Sequence, residues 1–160
     1  MDFLCAIVDV QGSRSEGKFV PKELAFNVYG SEFVYCYEII DKEDPDDWRG
    51  ALLDGDDYIP LSKFKIFLIM LYEQLKTQRR DLFGVRSHTM SVLLEELDIS
   101  HIILSTPCTH KLKMFYPDVK AVCERHKDFE NELCAARKVD LLRNWLSDLN
   151  LFQSIVPLLI

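Results

Sequence analysis

The sequence predicts one α/β domain in which helices flank a mixed β-sheet. Three segments typical of strands come first, with no helix between them, and helices then alternate with strands to the end of the chain. That change of pattern favours a sheet that starts antiparallel and continues parallel. The length of 160 residues, 48% of them apolar, suits a single core.

The three leading strand segments are residues 3–10, 18–29 and 32–40. Residues 3–10 (FLCAIVDV) are almost continuously apolar, which is typical of a central strand buried on both faces. Gly30 and Ser31 form a short link between the second and third segments, so we expect these two strands to form a hairpin.

The later elements alternate in type. Leucine and phenylalanine residues recur at helical spacing from Leu61 to Leu75, and Ser87 is placed to cap a further helix. The expected elements are a helix from residue 61, a strand at 81–85, a helix ending at residue 97, a strand at 99–104, an irregular stretch at 105–126 and a helix at 133–149. This is the element order of the ribonuclease H-like architecture, for which we expect a five-stranded mixed sheet.

Residues 1–150 are expected to form this domain, and the apolar residues 151–160 (LFQSIVPLLI) to pack as a tail on the body or on a partner. No apolar run approaches the length of a membrane span, so we expect no membrane partner. The N-terminal residues lack the basic segment of a secretory signal. Five cysteines, an odd number, then favour a reducing compartment, the cytosol or the nucleus.

The net charge of −7 comes almost entirely from one segment. Of the 26 acidic and 19 basic residues, eight and two lie between Asp41 and Asp57, which leaves 18 against 17 elsewhere. Proline and glycine within that segment indicate a solvated loop. The acidity therefore does not exclude nucleic-acid binding by a basic face elsewhere on the protein.

Cys123, His126 and Cys134 have the spacing Cys-x2-His-x7-Cys, and thiolates and imidazole are preferred ligands of zinc. A tetrahedral site requires a fourth ligand. The sequence offers Glu23, Cys108 and His110 for that position. Four protein ligands would make the zinc structural, since they leave no open position for catalysis.

A second group of residues bears on nuclease chemistry. Two-metal nucleases of the ribonuclease H-like class hold divalent cations with acidic side chains, and the DnaQ-like exonucleases begin with Asp-x-Glu on the first strand. Here Asp9 is followed by Gln11, which keeps the shape of glutamate without its charge. The His-x-Ala-x-x-Asp of the last helix corresponds to the run from Cys134 to Val139, and Asp140 would point about 100° away around the helix. We therefore expect no two-metal catalysis. Asp9 is a vestigial catalytic candidate, and the interpretation that we favour is a polar residue that caps the end of the strand.

Three segments resemble the Maelstrom domain, a ribonuclease H-like fold derived from DnaQ-type exonucleases. They are Pro21-Lys22-Glu23-Leu24-Ala25, Ile59-Pro60-Leu61-Ser62 and the Cys123-x2-His126-x7-Cys134-Ala135 motif. The resemblance covers most of the chain in element order and a small part of it in motifs. It implies a zinc site of Glu23, Cys123, His126 and Cys134 in a fold that has lost most of its nuclease acids. The chain departs from this pattern by keeping Asp9 in an exonuclease-like first strand.

The resemblance also implies a biological role, which is small-RNA-guided (Piwi-pathway) silencing of transposons. The implied partners are single-stranded RNA and the proteins of a silencing complex. The family is also associated with a ribonuclease activity that does not use the two-metal acids, so enzymatic action stays open while binding is favoured. The implied location is the cytoplasm, in perinuclear germ granules, the nucleus, or both.

Basic residues interleaved with aromatic ones support RNA binding independently of the resemblance. Cations track phosphates, and aromatic faces stack on bases. The candidate RNA-binding residues are Lys76, Arg79, Arg80, Arg86, Lys111, Lys113, Lys120 and Arg125. An ordinary solvated surface is the alternative interpretation of the same residues.

Three interpretations of the whole chain follow. The first is a degenerate, zinc-stabilised nuclease-fold module that binds RNA and protein in silencing. The second is a zinc-stabilised interaction module without RNA binding, in which the tail or a sheet face forms a homodimer or receives a partner. The third is an active 3′–5′ exonuclease of the DEDD class, against which Gln11 and Val139 argue.

Overall fold

The computed structural model describes residues 3–41, 58–119 and 134–155, with the backbone alone for residues 150–155. Within these ranges the chain is an α/β domain with a six-stranded mixed sheet and helices on both of its faces. The predicted α/β class and the mixed sheet are therefore confirmed. The acidic segment lies, apart from Asp41, outside the described residues.

The six strands are β1 (Leu4–Ser15), β2 (Lys18–Val28), β3 (Val34–Ile40), β4 (Tyr58–Pro60), β5 (Leu82–Val85) and β6 (His101–Ile103). Their order across the sheet is β4-β3-β2-β1-β5-β6. β2 runs antiparallel to β1 and β3, whereas β5 runs parallel to β1 and β6. This arrangement is compatible with a ribonuclease H-like fold.

β1 continues to Ser15 although the sequence predicts its end at Val10. Its last residues are polar, and they pair with the start of β2 in a ribbon that needs no buried face. Glu16 and Gly17 join the two strands with φ angles of 53° and 77°. A two-residue turn with positive φ at both positions matches the twist of antiparallel strands, so the ribbon closes tightly.

The expected count of five strands is wrong by one strand, β4. β4 pairs in parallel with β3, where Ile59 lies opposite Ile39 and both side chains are buried. The strand is three residues long and lies directly before a helical pattern. Three residues are too few to show the alternating pattern of a strand, so the sequence does not distinguish β4 from the start of that helix. Only the pairing with β3 defines β4 as a strand.

The structure describes four α-helices, α1 (Phe64–Leu75), α2 (His88–Glu96), α3 (Thr109–Phe115) and α4 (Ala135–Ile155), with a 3₁₀ turn (Leu61–Lys63) before α1. The hydroxyl oxygen of Ser87 accepts a hydrogen bond from the N–H of Met90 at 3.0 Å, so the predicted N-cap of α2 is confirmed. No helix in the described ranges is long and apolar enough to cross a membrane.

Two helices differ from the sequence expectation. α3 lies in the stretch predicted to be irregular, and its seven residues are too few to show a helical period. α4 runs to Ile155, which is five residues into the predicted tail at 151–160. The rest of that tail lies outside the described residues, and whether it packs on the body stays a prediction.

The two faces of the sheet bury separate cores. Val8 and Leu24 pack against α1 and α2 on one face, whereas Ile7 and Ala25 pack against α4 on the other. Side chains alternate along a regular strand, so the consecutive residues Ile7 and Val8 of β1 serve different cores. β1 is thus buried on both faces, as its apolar run predicts.

β1 also extends beyond the end of its parallel neighbour β5. Ile7 pairs with Gly84, and β5 ends one residue later at Val85. Asp9 therefore lies beside the segment that leads from β5 into α2. The carboxyl ends of parallel strands are where α/β proteins commonly place their sites. We call the region around Asp9 and this segment the strand-end site.

Candidate functional site

Asp9 and Gln11 project from the same face of β1, because alternate residues of a strand share a face. The side-chain amide Nε2 of Gln11 donates a hydrogen bond to Oδ2 of Asp9 at 2.6 Å, and Asp9 is 5% exposed. Burial raises the pKa of Asp9 to about 6, while the bond from Gln11 and the charges of Lys138 and Arg86 act in the opposite direction. Gln11 thus serves as a hydrogen-bond donor to Asp9, and it does not supply the second negative charge that a metal pair requires.

The last helix supplies no acid to this site. Val139, where the two-metal enzymes carry aspartate, is fully buried in the core under α4. Asp140 instead pairs with Arg143, with 2.8 Å between Oδ1 and Nη2. Glu23 does lie close enough for its charge to raise the pKa of Asp9, but this carboxylate is engaged with the start of α4.

Glu23 holds the start of α4 from the neighbouring strand β2. Its Oε1 accepts a hydrogen bond from the backbone N–H of Ala135 at 2.8 Å. The first N–H groups of a helix have no partner within the helix, and its dipole favours a negative charge at this end. Glu23 and Cys134, the residue before Ala135, are both buried, at 4% and 1% exposed. The structure therefore brings together two of the four predicted zinc ligands.

The other predicted ligands, Cys123 and His126, lie outside the described residues. Cys108 and His110, the alternatives for the fourth ligand, are exposed at the start of α3. Within residues 3–41, 58–119 and 134–155, no group of three or more His, Cys, Asp or Glu side chains could hold a metal ion. A carboxylate beside a thiol supplies half of a tetrahedral zinc donor set, and the site stays a prediction.

The basic residues predicted to bind RNA fall into two groups. The first lies in the loop between α1 and β5, where the guanidinium of Arg80 stacks on the ring of Tyr29, with 3.2 Å from Cζ to the ring centroid. Nη1 of Arg80 also donates to the carbonyl oxygen of Leu4 at 3.1 Å. Tyr29 is 59% exposed, so this cation–π stack lies at the surface.

Exposed aromatic side chains accompany the stack. Phe3 is the neighbour of Leu4, whose carbonyl oxygen binds Arg80, and Phe33 lies in the hairpin that carries Tyr29. Both phenylalanines are exposed. We call the surface formed by Phe3, Tyr29, Phe33 and Arg80 the aromatic–basic end. Its combination of a cation with open aromatic faces suits single-stranded nucleic acid.

Two further predicted RNA-binding residues lie beside the aromatic–basic end. Arg79 is exposed to solvent. Lys76 pairs with Glu73, with 2.9 Å between Nζ and Oε2, and its Nζ lies 5.3 Å from the ring centroid of Tyr72. The Glu73 carboxylate offsets the charge of Lys76, so Arg79 is the stronger candidate for a phosphate contact.

The second basic group lies toward the strand-end site. Nη1 of Arg86 donates to the hydroxyl oxygen of Thr109 at 2.6 Å, which ties the segment after β5 to α3. Lys111 and Lys113 lie on that same helix. The structure therefore separates the predicted basic residues into two surfaces. The remaining candidates, Lys120 and Arg125, lie outside the described residues.

Lys138 is a residue of the strand-end site that the sequence analysis does not single out. It lies in the first turn of α4, and its charge lowers the pKa of Asp9. Lys138 lies one turn after Cys134, and its backbone N–H donates to the carbonyl oxygen of Cys134 at 3.2 Å. This spacing is the signal that identifies it once Cys134 is a candidate.

A serine–histidine pair joins α2 to β6, with Ser91 buried and His101 half-buried. Oγ of Ser91 is 2.8 Å from Nε2 of His101, and Nδ1 of His101 is 2.8 Å from the carbonyl oxygen of Ile99. A carbonyl oxygen only accepts, so in the neutral ring Nδ1 carries the proton and Ser91 donates to Nε2. Ser91 is 5% exposed, so the pair ties α2 to β6 and does not present a nucleophile.

No protein-family model matches the chain, and no curated protein matches it at a significant level.

Proposed function

We propose that this chain is a zinc-stabilised domain of ribonuclease H-like fold that has lost two-metal catalysis and binds single-stranded RNA, together with protein partners, in small-RNA (Piwi-pathway) silencing. The run β3-β2-β1-β5-β6, with β2 antiparallel to both neighbours, supports the fold. β4 is then an addition at the edge of the sheet. The pathway is supported by the Maelstrom-like motifs that contain Glu23 and Cys134.

The observation that carries the zinc proposal is the hydrogen bond from Ala135 to Glu23. Positions 23 and 134 are remote in sequence, and a chance cysteine and glutamate would not be expected at one buried point. A carboxylate at a helix start can also serve as a zinc ligand, so the bond to Ala135 and zinc ligation are compatible in one side chain. Glu23, Cys123, His126 and Cys134 would hold the ion, which would link β2 to the start of α4 and stabilise the fold.

The strand-end site supports binding over two-metal cleavage. Asp9 is paired with an amide, and Val139 is buried where an acid would be needed. A hard divalent cation prefers several carboxylate oxygens, so the described residues favour protein contacts to Asp9 over a metal pair. A cleavage mechanism that needs neither Asp9 nor a metal pair is compatible with this geometry.

The aromatic–basic end supports single-stranded RNA as the ligand. Single-strand binders combine a cation that contacts the backbone with aromatic faces that stack on bases. Arg80 and Tyr29 provide both in one surface contact, and Phe3 and Phe33 add exposed rings nearby. Such binding is expected to weaken as salt rises, because phosphate contacts release counterions.

Metal analysis of the purified protein, together with RNA binding and cleavage assays, tests this proposal. We expect one zinc per chain, binding of single-stranded RNA that weakens between roughly 50 and 200 mM salt, and no magnesium-dependent cleavage. Protein without zinc and without RNA affinity would overturn the proposal. Cleavage that requires Mg²⁺ or Mn²⁺ and is lost in Asp9→Asn would establish the exonuclease alternative instead.

A second candidate function, protein interaction or homodimerisation, is favoured by the outer edge of β6. β6 is the last strand in the described sheet, and its Ile102 and Ile103 are about half exposed. An exposed edge strand with apolar side chains can pair with another chain. Sedimentation of wild type and Ile103→Lys tests this. A dimer that Ile103→Lys separates supports edge pairing, and a wild-type monomer at high concentration counts against a homodimer.

A further inference from the structure

A cleft of about 240 Å³ opens at the strand-end site, between β1, the start of β2, α2 and α4. It is smaller than the pockets that hold drug-sized ligands, so it suits a single small group. Its lining residues are Val10, Gln11, Gly12, Phe19, Ser87, Thr89, Met90, Leu93 and Lys138.

The polar lining of this cleft consists of groups that can donate hydrogen bonds. Among the described residues that line it, Lys138 alone carries a charge, and it projects from the first turn of α4. Ser87 and Thr89 add hydroxyl groups from the start of α2, and Gln11 adds an amide from β1. An ammonium group with hydroxyls and an amide is a donor set that suits a phosphate.

The two carboxylates near the cleft are not among the residues that line it. Asp9 and Glu23 are both buried and do not line it. The carboxylate of Asp9 receives the bond from Gln11, and that of Glu23 receives the bond from Ala135. Arg86 adds a second positive charge beside Asp9 while its guanidinium binds Thr109. An anion in the cleft would therefore meet Lys138 first.

Gly12 lines the cleft where β1 and β2 approach each other closely. It lies at a register shift between β1 and β2, and a Cβ at this position would come within 2.1 Å of the carbonyl oxygen of Val20 and 2.9 Å of the ring of Phe19. Only glycine fits so close an approach. The ring of Phe19 consequently lies close to the backbone of β1 and adds an apolar surface to the lining, on which a sugar or a base could pack.

We infer that this cleft binds a phosphate monoester, the terminal phosphate of a single-stranded nucleic acid, through Lys138 and the hydroxyl groups of Ser87 and Thr89. The identity of the polymer that carries the phosphate rests on the proposed RNA binding. The phosphate site itself does not depend on that proposal. In place of two bridging cations, a side-chain ammonium group binds the phosphate directly. The cleft would thus hold the end of a strand without cutting it.

Binding of oligouridines that differ only in their ends tests the inference. The probes are one short oligouridine with a 5′-phosphate, a 3′-phosphate or hydroxyl groups at both ends, together with uridine monophosphate and inorganic phosphate. We expect one phosphorylated end to bind more tightly than the hydroxyl end, and Lys138→Gln to remove about tenfold or more of that affinity, the usual size of a charge-assisted contact. Lys65→Gln, on the exposed surface of α1, is the matched control and should change nothing.

If Lys138→Gln folds poorly, three further variants test the same inference. Lys138→Arg should preserve the preference, Gln11→Glu should abolish it by placing a negative charge in the wall, and Asp9→Asn should leave it unchanged or strengthen it. Loss of the preference in Asp9→Asn would overturn the inference, because that result is typical of a metal-bound phosphate.

The outcomes also separate this inference from the proposed function. Oligouridine that binds equally with every kind of end, unaffected by Lys138→Gln, refutes the phosphate cleft and leaves RNA binding intact. Uridine monophosphate or inorganic phosphate that binds through Lys138, with no gain from the polymer, supports the cleft and refutes single-stranded RNA as its ligand. Absence of binding by every probe refutes both.

Discussion

The carboxylate oxygen Oε1 of Glu23 accepts a hydrogen bond from the backbone N–H of Ala135 at 2.8 Å, across 112 positions of sequence. This contact fixes the start of the last helix on the second strand. It also places Cys134 beside Glu23 in the interior, so the helix start and the predicted zinc site share one carboxylate. The observed capping of α4 and the predicted zinc ligation are expected to respond differently to substitution of Glu23.

Glu23→Gln separates capping from zinc ligation. Glutamine keeps an oxygen that can accept from Ala135 but loses the charge that zinc prefers. We expect the melting temperature to fall in zinc-loaded protein and to match wild type after chelation. Glu23→Ala also removes the acceptor and should cost a further ~1–2 kcal/mol, measured by urea unfolding of the chelated protein.

Glu38→Gln is the matched control, because Glu38 is the register partner of Glu23 on β3. It should change neither quantity by more than about 0.5 kcal/mol. If Glu23→Gln melts like wild type with and without zinc, Glu23 acts as a cap alone.

Asp9→Asn is expected to stabilise the protein at neutral pH. Burial raises the pKa of Asp9 from 3.8 to about 6, so the folded state binds the proton more tightly than the unfolded state does. The native protein therefore holds more protons between about pH 4 and pH 6, and stability from this group falls as the pH rises through that window. The full penalty is present at pH 7, on the order of 2–3 kcal/mol.

Urea unfolding of wild type and Asp9→Asn from pH 4 to pH 8 measures this difference. The gain in the variant should be largest near pH 7 and absent near pH 4, and asparagine can still accept from Gln11. The exposed Asp118→Asn serves as the control and should show no such trend. A variant that is less stable than wild type at pH 7 contradicts the assignment of a buried, unfavourable charge.

Arg80 and Tyr29 are expected to contribute to RNA binding in different ways. Arg80→Gln removes a positive charge, so it should weaken single-stranded RNA binding and reduce the slope of log affinity against log salt by about 1. Tyr29→Leu removes a stacking face, so it should cost about 1–3 kcal/mol of binding with the slope unchanged. Fluorescence anisotropy over a salt series measures both effects.

Lys22→Gln, an exposed basic residue of β2 outside the aromatic–basic end, should leave RNA affinity nearly unchanged. Equal losses in Lys22→Gln and Arg80→Gln would show that the binding reflects charge alone and has no defined surface.

Gly12→Ala is expected to destabilise the ribbon of β1 and β2. The added Cβ would meet the carbonyl oxygen of Val20 at 2.1 Å, so the strands must separate or shift register. We expect a loss of about 1–3 kcal/mol, the usual cost of overpacking, measured by urea unfolding. Ser13→Ala, at the next and exposed position, should stay within about 0.5 kcal/mol of wild type. A neutral Gly12→Ala would show that the register shift adjusts freely.

Much of the fold could be predicted from the sequence because its main signals are local. The continuous apolar run of β1 indicates burial on both faces, and Ser87 alone identifies the start of α2. β4 and α3 could not be found in this way. Each is too short to show a period, and β4 is defined by its pairing with a strand that lies outside its own neighbourhood.

Part of the candidate site could also be predicted, because residue type is a local signal. Residue types suggested Glu23 and Cys134, and the structure adds that they lie together. The placement of Lys138 beside Asp9 depends on how α4 lies across the sheet, which local pattern does not specify. The separation of the basic residues into two surfaces likewise depends on the sheet order.

The most direct test of the central claim is the zinc content of purified wild-type protein and Cys134→Ser, measured by elemental analysis after dialysis against metal-free buffer. We predict one zinc per wild-type chain, and loss of that zinc with a lower melting temperature in Cys134→Ser. A well-folded wild-type protein that contains no zinc and melts at the same temperature with and without chelator would contradict the account.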